Sequence, residues 1–226
     1  MTGRSLLPAI VFALAAALAA ALAPATGSAE TAPPDEGLIV ALGDSLTAGL
    51  GVAERDAWPA QLERRLRAAG LRWKVVNAGI SGETSSGARA RLEWVLRLRP
   101  DIVVLATGAN DGLRGIPPHV LQGNLGAMLT TLGARRVTAV LAGMQMLRNL
   151  GPAYTTAFAR VYPDVAMRHR PVFIPFLLEG VAANPALNQP DGLHPTAAGY
   201  RVVTDLVYPR IVEAIDRVRA SRIPTR

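Results

Sequence analysis

Five short and almost unbroken apolar runs recur along this 226-residue chain, at 38–42, 73–77, 101–107, 137–142 and 171–176. Runs of that length without polar alternation fit strands covered on both faces, which is the condition of a parallel sheet. Between them the apolar residues recur at helical spacing. Trp58, Leu62, Leu66 and Ala69 share one face of the first long stretch, and Leu121, Leu125, Met128 and Leu132 share one face of a later stretch. Val202, Leu206 and Ile211 do the same near the end. Strand–helix alternation of this kind packs as a parallel sheet with helices on both faces. The expected fold is a doubly wound, three-layer α/β/α sandwich around a five-stranded parallel sheet. Proline gathers at 117–118 and between 185 and 195, where loops are expected.

The first 29 residues read as a secretory signal peptide. Arg4 precedes an alanine-rich apolar stretch at 6–23, and Gly27-Ser28-Ala29 supplies small residues for cleavage. A retained membrane anchor is the rival reading, because the run approaches spanning length; Pro8 and the small-residue exit favour removal. The expected domain is 30–226, about 197 residues and enough for one full core. It would be periplasmic or secreted. With no cysteine in the chain there is no lipid-anchoring thiol, no disulfide and no thiol nucleophile.

The net charge of +7 comes almost wholly from arginine. These arginines are spread over helical stretches such as Glu63-Arg64-Arg65-Leu66-Arg67 and Arg89-Ala90-Arg91, with little aromatic company. That pattern reads as solvated helix faces, not a nucleic-acid stripe, and allows at most weak contact with a membrane surface.

Four motifs follow the carboxyl ends of the expected strands, the edge where open parallel sheets place their ligand crevice. Gly43-Asp44-Ser45-Leu46 follows the first strand, Ser81-Gly82-Glu83-Thr84 the second and Gly108-Ala109-Asn110-Asp111 the third; Asp191-Gly192-Leu193-His194-Pro195 lies beyond the fifth. A serine hydroxyl becomes a nucleophile only beside a base. His194 can be that base, with Asp191 three residues earlier accepting from Nδ1 and leaving Nε2 for the Ser45 proton. Pro195 suits the first turn of the last helix. Taken singly, Asp44 or Ser45 is a helix cap, Asp-Gly is a turn, and the Asn110 block is a turn after a strand. Read together, they offer the Ser45 amide, the Gly82 amide and the Asn110 side chain as donors for an oxyanion. No second glycine follows Ser45 as in a G-x-S-x-G elbow.

These blocks resemble the Ser-Gly-Asn-His signature of the SGNH, or GDSL, hydrolases. The chain is most similar to their bacterial exported branch of thioesterases, arylesterases and lysophospholipases, and Trp58-Pro59-Ala60, Asn77-Ala78 and Asn110-Asp111-Gly112-Leu113-Arg114-Gly115 extend the likeness. It spans about residues 38–215. The resemblance implies a flavodoxin-like arrangement, Ser45 as nucleophile with Asp191 and His194, and Ser45, Gly82 and Asn110 as oxyanion donors. It also implies no metal and no cofactor; the partner expected is a small acyl ester or thioester, and the protein is expected to be a monomer. Ala109 stands where close relatives often have glycine, and the 144–154 stretch departs from the branch. Met144, Met146 and Leu147 offer either an acyl groove or core, with Leu113-Arg114 and the 176–190 loop at its rim. Arg114 is expected in a surface salt bridge, or else on a substrate anion. The rival enzyme is a carbohydrate O-acetylesterase; a binding module with a silent triad and a flavodoxin-like flavin binder are the other classes.

Overall fold

Strand β1 (Gly37–Gly43) runs up the interior of the sheet, and Ile39, Val40, Ala41 and Leu42 are fully buried there. The computed structural model describes residues 35–146 and 150–223; the expected signal peptide and Leu147 lie outside the described residues. β1 pairs in parallel with β2 (Trp73–Gly79) on one side and β3 (Ile102–Ala106) on the other. β4 (Thr138–Ala142) and β5 (Val172–Ile174) complete the order β2-β1-β3-β4-β5, all parallel. This is the five-stranded parallel sheet expected.

Helices cover both faces. On one, α1 (Ser45–Ala48) gives way to α2 (Trp58–Ala68), which packs against α8 (Ala197–Arg222). On the other, α3 (Ser85–Ala90) and α4 (Leu92–Leu96) are followed by α5 (Ala109–Leu113), α6 (Pro118–Ala134) and α7 (Pro152–His169). Both long helices of that face begin with proline, whose missing N–H is no loss at a first helical position. Pro118 is thus a helix start and not the loop residue expected.

The apolar stripes are buried as their spacing requires, with two corrections. Ala69 caps the end of α2 and is exposed. In α8 the stripe runs through Val203, Val207, Ile211, Ala214 and Val218, leaving Val202 and Leu206 at its margin. β5 is shorter than its apolar run and ends at Ile174, whose carbonyl accepts from Gly143 N at 2.8 Å. Beyond Pro175 the pairing slips by one residue, and it is Leu177 N that donates to the Gly143 carbonyl at 2.9 Å.

The chain steps from β1 to β2 on one side and to β3 on the other, so the strand order reverses at β1/β3. Ligands bind at such switch points beyond the carboxyl ends. Two glycines let the chain turn tightly there. A Cβ on Gly43 would run into Thr47 Oγ1 and the Ala106 carbonyl, and one on Gly79 would meet the Ala48 backbone. Ser45 therefore emerges directly from the top of a buried strand.

Candidate active site

Ser45 is the first residue of α1 and is only 9 % exposed. Its Oγ lies 2.8 Å from His194 Nε2, across 149 residues of sequence. His194 Nδ1 lies 2.6 Å from Asp191 Oδ2. An ionised carboxylate can only accept, so Nδ1 carries the proton and Nε2 is left to accept from the Ser45 hydroxyl. The other Asp191 oxygen accepts from the amides of Leu193 at 2.9 Å and His194 at 3.0 Å. Those backbone bonds together with the His194 side chain lower the Asp191 carboxyl from 3.8 to about 2. The structure therefore joins the three residues in one hydrogen-bonded chain.

Local and long-range contacts hold the Asp191–His194 turn. The Gln189 amide donates to the His194 carbonyl at 2.8 Å, and its side-chain Nε2 donates to Leu50 O at 2.7 Å and Pro195 O at 2.9 Å. Gln189 thus fastens the histidine turn to the segment just after Ser45. Pro195 bridges Asn188, and α8 starts only after Thr196, whose hydroxyl accepts from Gly199 N. Pro195 is not in the first turn of that helix, contrary to expectation. Its carbonyl is needed by Gln189, and the helix is capped by threonine instead.

A cavity of about 260 Å³ opens beside Ser45, Asn110 and His194. Leu113, Met144, Met146, Phe176, Leu178 and Leu193 make its walls largely apolar. The apolar stretch after β4 therefore supplies both core and groove, since Met144 is buried and also faces the cavity. Ala109 lines it too, as do Leu113 and residues of the 176–190 loop, but Arg114, expected on the rim beside Leu113, does not. A larger depression of about 650 Å³ between α6 and α7 is shallow and contains neither Ser45 nor His194.

Asn110 Nδ2 donates one hydrogen to the Glu83 carbonyl at 3.0 Å, which leaves the second for another acceptor. Gly82, at φ +80°, stands on the exposed corner next to Glu83 and outside the cavity lining. Among the described residues no group of three or more His, Asp or Glu side chains is placed to hold a metal ion.

Residues 41–202 match the family described as GDSL-like Lipase/Acylhydrolase. The chain belongs to this family. It is 41 % identical over 174 residues to the esterase TesA of Pseudomonas aeruginosa, covering 76 % of this chain and 87 % of that one. It is 34 % identical over 168 residues to the thioesterase 1/protease 1/lysophospholipase L1 of Escherichia coli K12, covering 74 % and 79 %. Among solved structures, the psychrotrophic esterase EstA from Pseudoalteromonas, inhibited by monoethylphosphonate, superposes with a TM-score of 0.76 at 31 % identity, over 80 % of this chain and all of that one. The protein is accordingly an SGNH-type acyl hydrolase acting on small-molecule esters.

The aspartate before the serine is shut away from water. Asp44 is fully buried; one oxygen accepts from Leu46 N at 3.0 Å, capping α1, and the other has no donor among the described residues. Burial raises its carboxyl from 3.8 to about 6, against the pull of the Leu46 amide and His194. The folded protein then holds a proton that the unfolded chain has lost as pH rises from 4 to 6. Stability falls through that window, by up to about 3 kcal/mol, and levels above it. Asparagine caps as well as aspartate but does not titrate. The stability of Asp44→Asn relative to wild type should grow between pH 4 and pH 7 and then stay constant. Urea unfolding at several pH values checks this; parallel curves would show that Asp44 does not titrate in the window.

Two arginines depart from their expected settings. Arg114 makes no surface salt bridge among the described residues; its guanidinium donates to the Gly82 carbonyl at 2.6 Å. Arg89 is exposed, as a solvated face requires, but Arg91 is not. Its side chain is 16 % exposed and pairs with a Glu83 that is 8 % exposed. Helical spacing gave no sign of this, since α3 ends at Ala90 and Arg91 turns inward at the break before α4. Asp111, named in the sequence only as part of the Asn110 motif, had no role of its own there. It is fully buried, accepting from Ser85 Oγ at 2.5 Å and Ser85 N at 2.7 Å, so it ties the Asn110 turn to the loop after β2.

Proposed function

We propose that the protein is a serine esterase and thioesterase that works through an acyl-enzyme on Ser45, with a preference for fatty acyl chains. The observation that carries this reading is the Asp191–His194–Ser45 chain, at 2.6 and 2.8 Å, opening on an apolar cavity. Ser45 Oγ attacks the acyl carbonyl carbon while His194 Nε2 takes its proton. The carbonyl oxygen becomes an oxyanion, met by the amides of Ser45 and Gly82 and the free hydrogen of Asn110. His194 then gives its proton to the leaving alcohol or thiol as the tetrahedral adduct collapses. Water, deprotonated by His194, attacks the acyl-enzyme and releases the acid, and the proton returns to Ser45. Asp191 stays ionised and holds the imidazole.

The names of the relatives, an esterase and a thioesterase/lysophospholipase, support both ester and thioester substrates. The apolar walls favour an acyl tail over a sugar, so carbohydrate deacetylation is the weaker reading. We further propose that residues 1–29 direct export and are removed, leaving a monomer with at most weak membrane contact. An intact mass beginning at Glu30 after expression in a secreting host would support removal, and an uncut chain would refute it.

Initial rates across acetyl to palmitoyl p-nitrophenyl esters and acyl-CoA thioesters test the proposal. Each methylene buried contributes about 0.8 kcal/mol, so kcat/KM should climb roughly three- to fourfold per added carbon until the cavity is filled. A fluorophosphonate should label one residue, Ser45, as read by peptide mass spectrometry. A rate maximum at acetyl would move the assignment to deacetylation, and labelling elsewhere would remove Ser45 as nucleophile.

A further inference from the structure

We infer that the half-buried Arg91–Glu83 ion pair is a positioning device that holds the oxyanion donors in place relative to the Ser45 turn. The inference rests on the reading above, in which Gly82 and Asn110 are two of those donors.

Arg91 Nε donates to Glu83 Oε1 at 2.7 Å and Nη2 to Oε2 at 2.6 Å, a two-pronged pairing. The same Nη2 donates to the Ala78 carbonyl at 2.6 Å and reaches the Gly43 carbonyl at 3.3 Å. Those two carbonyls stand at the tops of β2 and β1, and Gly43 is two residues before Ser45. Glu83 adjoins Gly82, and its own carbonyl accepts the Asn110 amide at 3.0 Å. One guanidinium therefore touches the backbone that leads to Ser45 and, through Glu83, the backbone that carries Gly82 and anchors Asn110. Among the described residues no other side chain hydrogen-bonds to all three segments.

The chemistry of the residue fits the task. The planar fork supplies donors in fixed directions to a carboxylate on one side and carbonyls on the other. A lysine ammonium at the same place keeps the charge but has no fork. The pair is nearly dry, so water is a poor substitute for either partner. Its role is separable from that of Asp111, which holds the downstream end of the same loop through Ser85. Without Arg91 the loop stays attached there, while its Gly82–Glu83 corner loses its side-chain tie to the tops of β1 and β2 and keeps only the Arg114 and Asn110 side-chain contacts to its carbonyls. A displacement of about 1 Å at a site of this kind lowers rates on the order of a hundredfold.

The test compares Arg91→Ala and Arg91→Lys with Asn110→Ala and the paired combinations, using a medium-chain p-nitrophenyl ester. We expect kcat to fall about 30-fold in both Arg91 variants with KM within about twofold, as for an interaction made chiefly in the transition state. An alkyl boronic acid forms a tetrahedral adduct on Ser45 Oγ, its hydroxyl proton passing to His194. Inhibition by this probe should weaken by the same factor as kcat, while inhibition by the carboxylic acid product should not change. Titration with a fluorophosphonate should still count one active serine per chain. Millimolar guanidinium should restore part of the rate in Arg91→Ala and none in Arg91→Lys. On the Asn110→Ala background the Arg91 effect should shrink to about threefold, because both act on the same donors.

A kcat within about threefold of wild type in a folded Arg91→Lys protein would overturn the inference, and this variant decides the matter if Arg91→Ala does not fold. So would an Arg91 effect that multiplies in full with that of Asn110→Ala. If Asn110→Ala itself keeps the wild-type rate, the oxyanion assignment fails and the inference falls with it. If Asn110→Ala is crippled while the Arg91 variants are normal, only the positioning role fails.

Discussion

Ser45→Ala should lower kcat by about a millionfold, His194→Ala by nearly as much, and the double variant should lose almost nothing more. The reason lies in the single hydrogen-bonded chain. At 2.8 Å from the serine hydroxyl, the imidazole has no other proton to take in the attack step, and without the imidazole the hydroxyl is an ordinary alcohol. Each residue is useful only with its partner, so their effects do not add. A residual acceleration of about a thousandfold over water should survive, supplied by the oxyanion donors and substrate binding. Single-turnover rates on protein purified from a host lacking esterases would measure this. If the two losses multiplied, the residues would be acting independently and the shared-proton mechanism would be wrong.

Asp191→Asn should lower kcat by between about a hundredfold and a thousandfold. An asparagine offers Nδ1 a donor as readily as an acceptor, so the ring can settle with its proton on Nε2, where it cannot accept from Ser45. In fully buried triads the same change removes about ten-thousandfold. The Asp191 side chain is 44 % exposed, so water can take over part of its orienting role, and the loss should be smaller. The pH dependence follows from the carboxyl titrating near 2. Its folded value lies below the unfolded one, so its stabilising effect is complete above pH 4 and disappears only as pH falls through 2. Between pH 4 and 9 wild-type Asp191 stays ionised, and any change of rate in that interval belongs to another group. KM should be nearly unchanged, because Asp191 does not line the cavity. A loss of under tenfold would assign Asp191 to the turn alone.

The five apolar runs and the helical stripes between them were legible because strand and helix periods are local properties. Each reports which faces are covered without reference to the rest of the chain. The chemical residues were legible for a related reason. Asp191 and His194 are three residues apart, so their contact needs only one turn, and Ser45, Gly82 and Asn110 each follow a strand whose carboxyl end is set by the run before it. What lies between distant segments was not legible. The strand order that sets β1 beside β3, and so brings Asn110 toward Ser45, depends on pairing across the sheet. The withdrawal of Arg91 from a helix face into a dry clamp depends on carbonyls from two strands and a carboxylate eight residues away. The start of α8 after His194 is likewise set at a distance, by Gln189 holding the Pro195 carbonyl and Thr196 capping the helix, and the raised carboxyl of Asp44 by burial. The sequence by itself determined the layers, the order of the motifs and the residues proposed to react, since periodicity and residue type are enough for these. Only the tertiary structure decided the strand neighbours, the apolar cavity beside Ser45 and the protonation and bracing of the site, because desolvation and long-range hydrogen bonds exist only once the chain has closed.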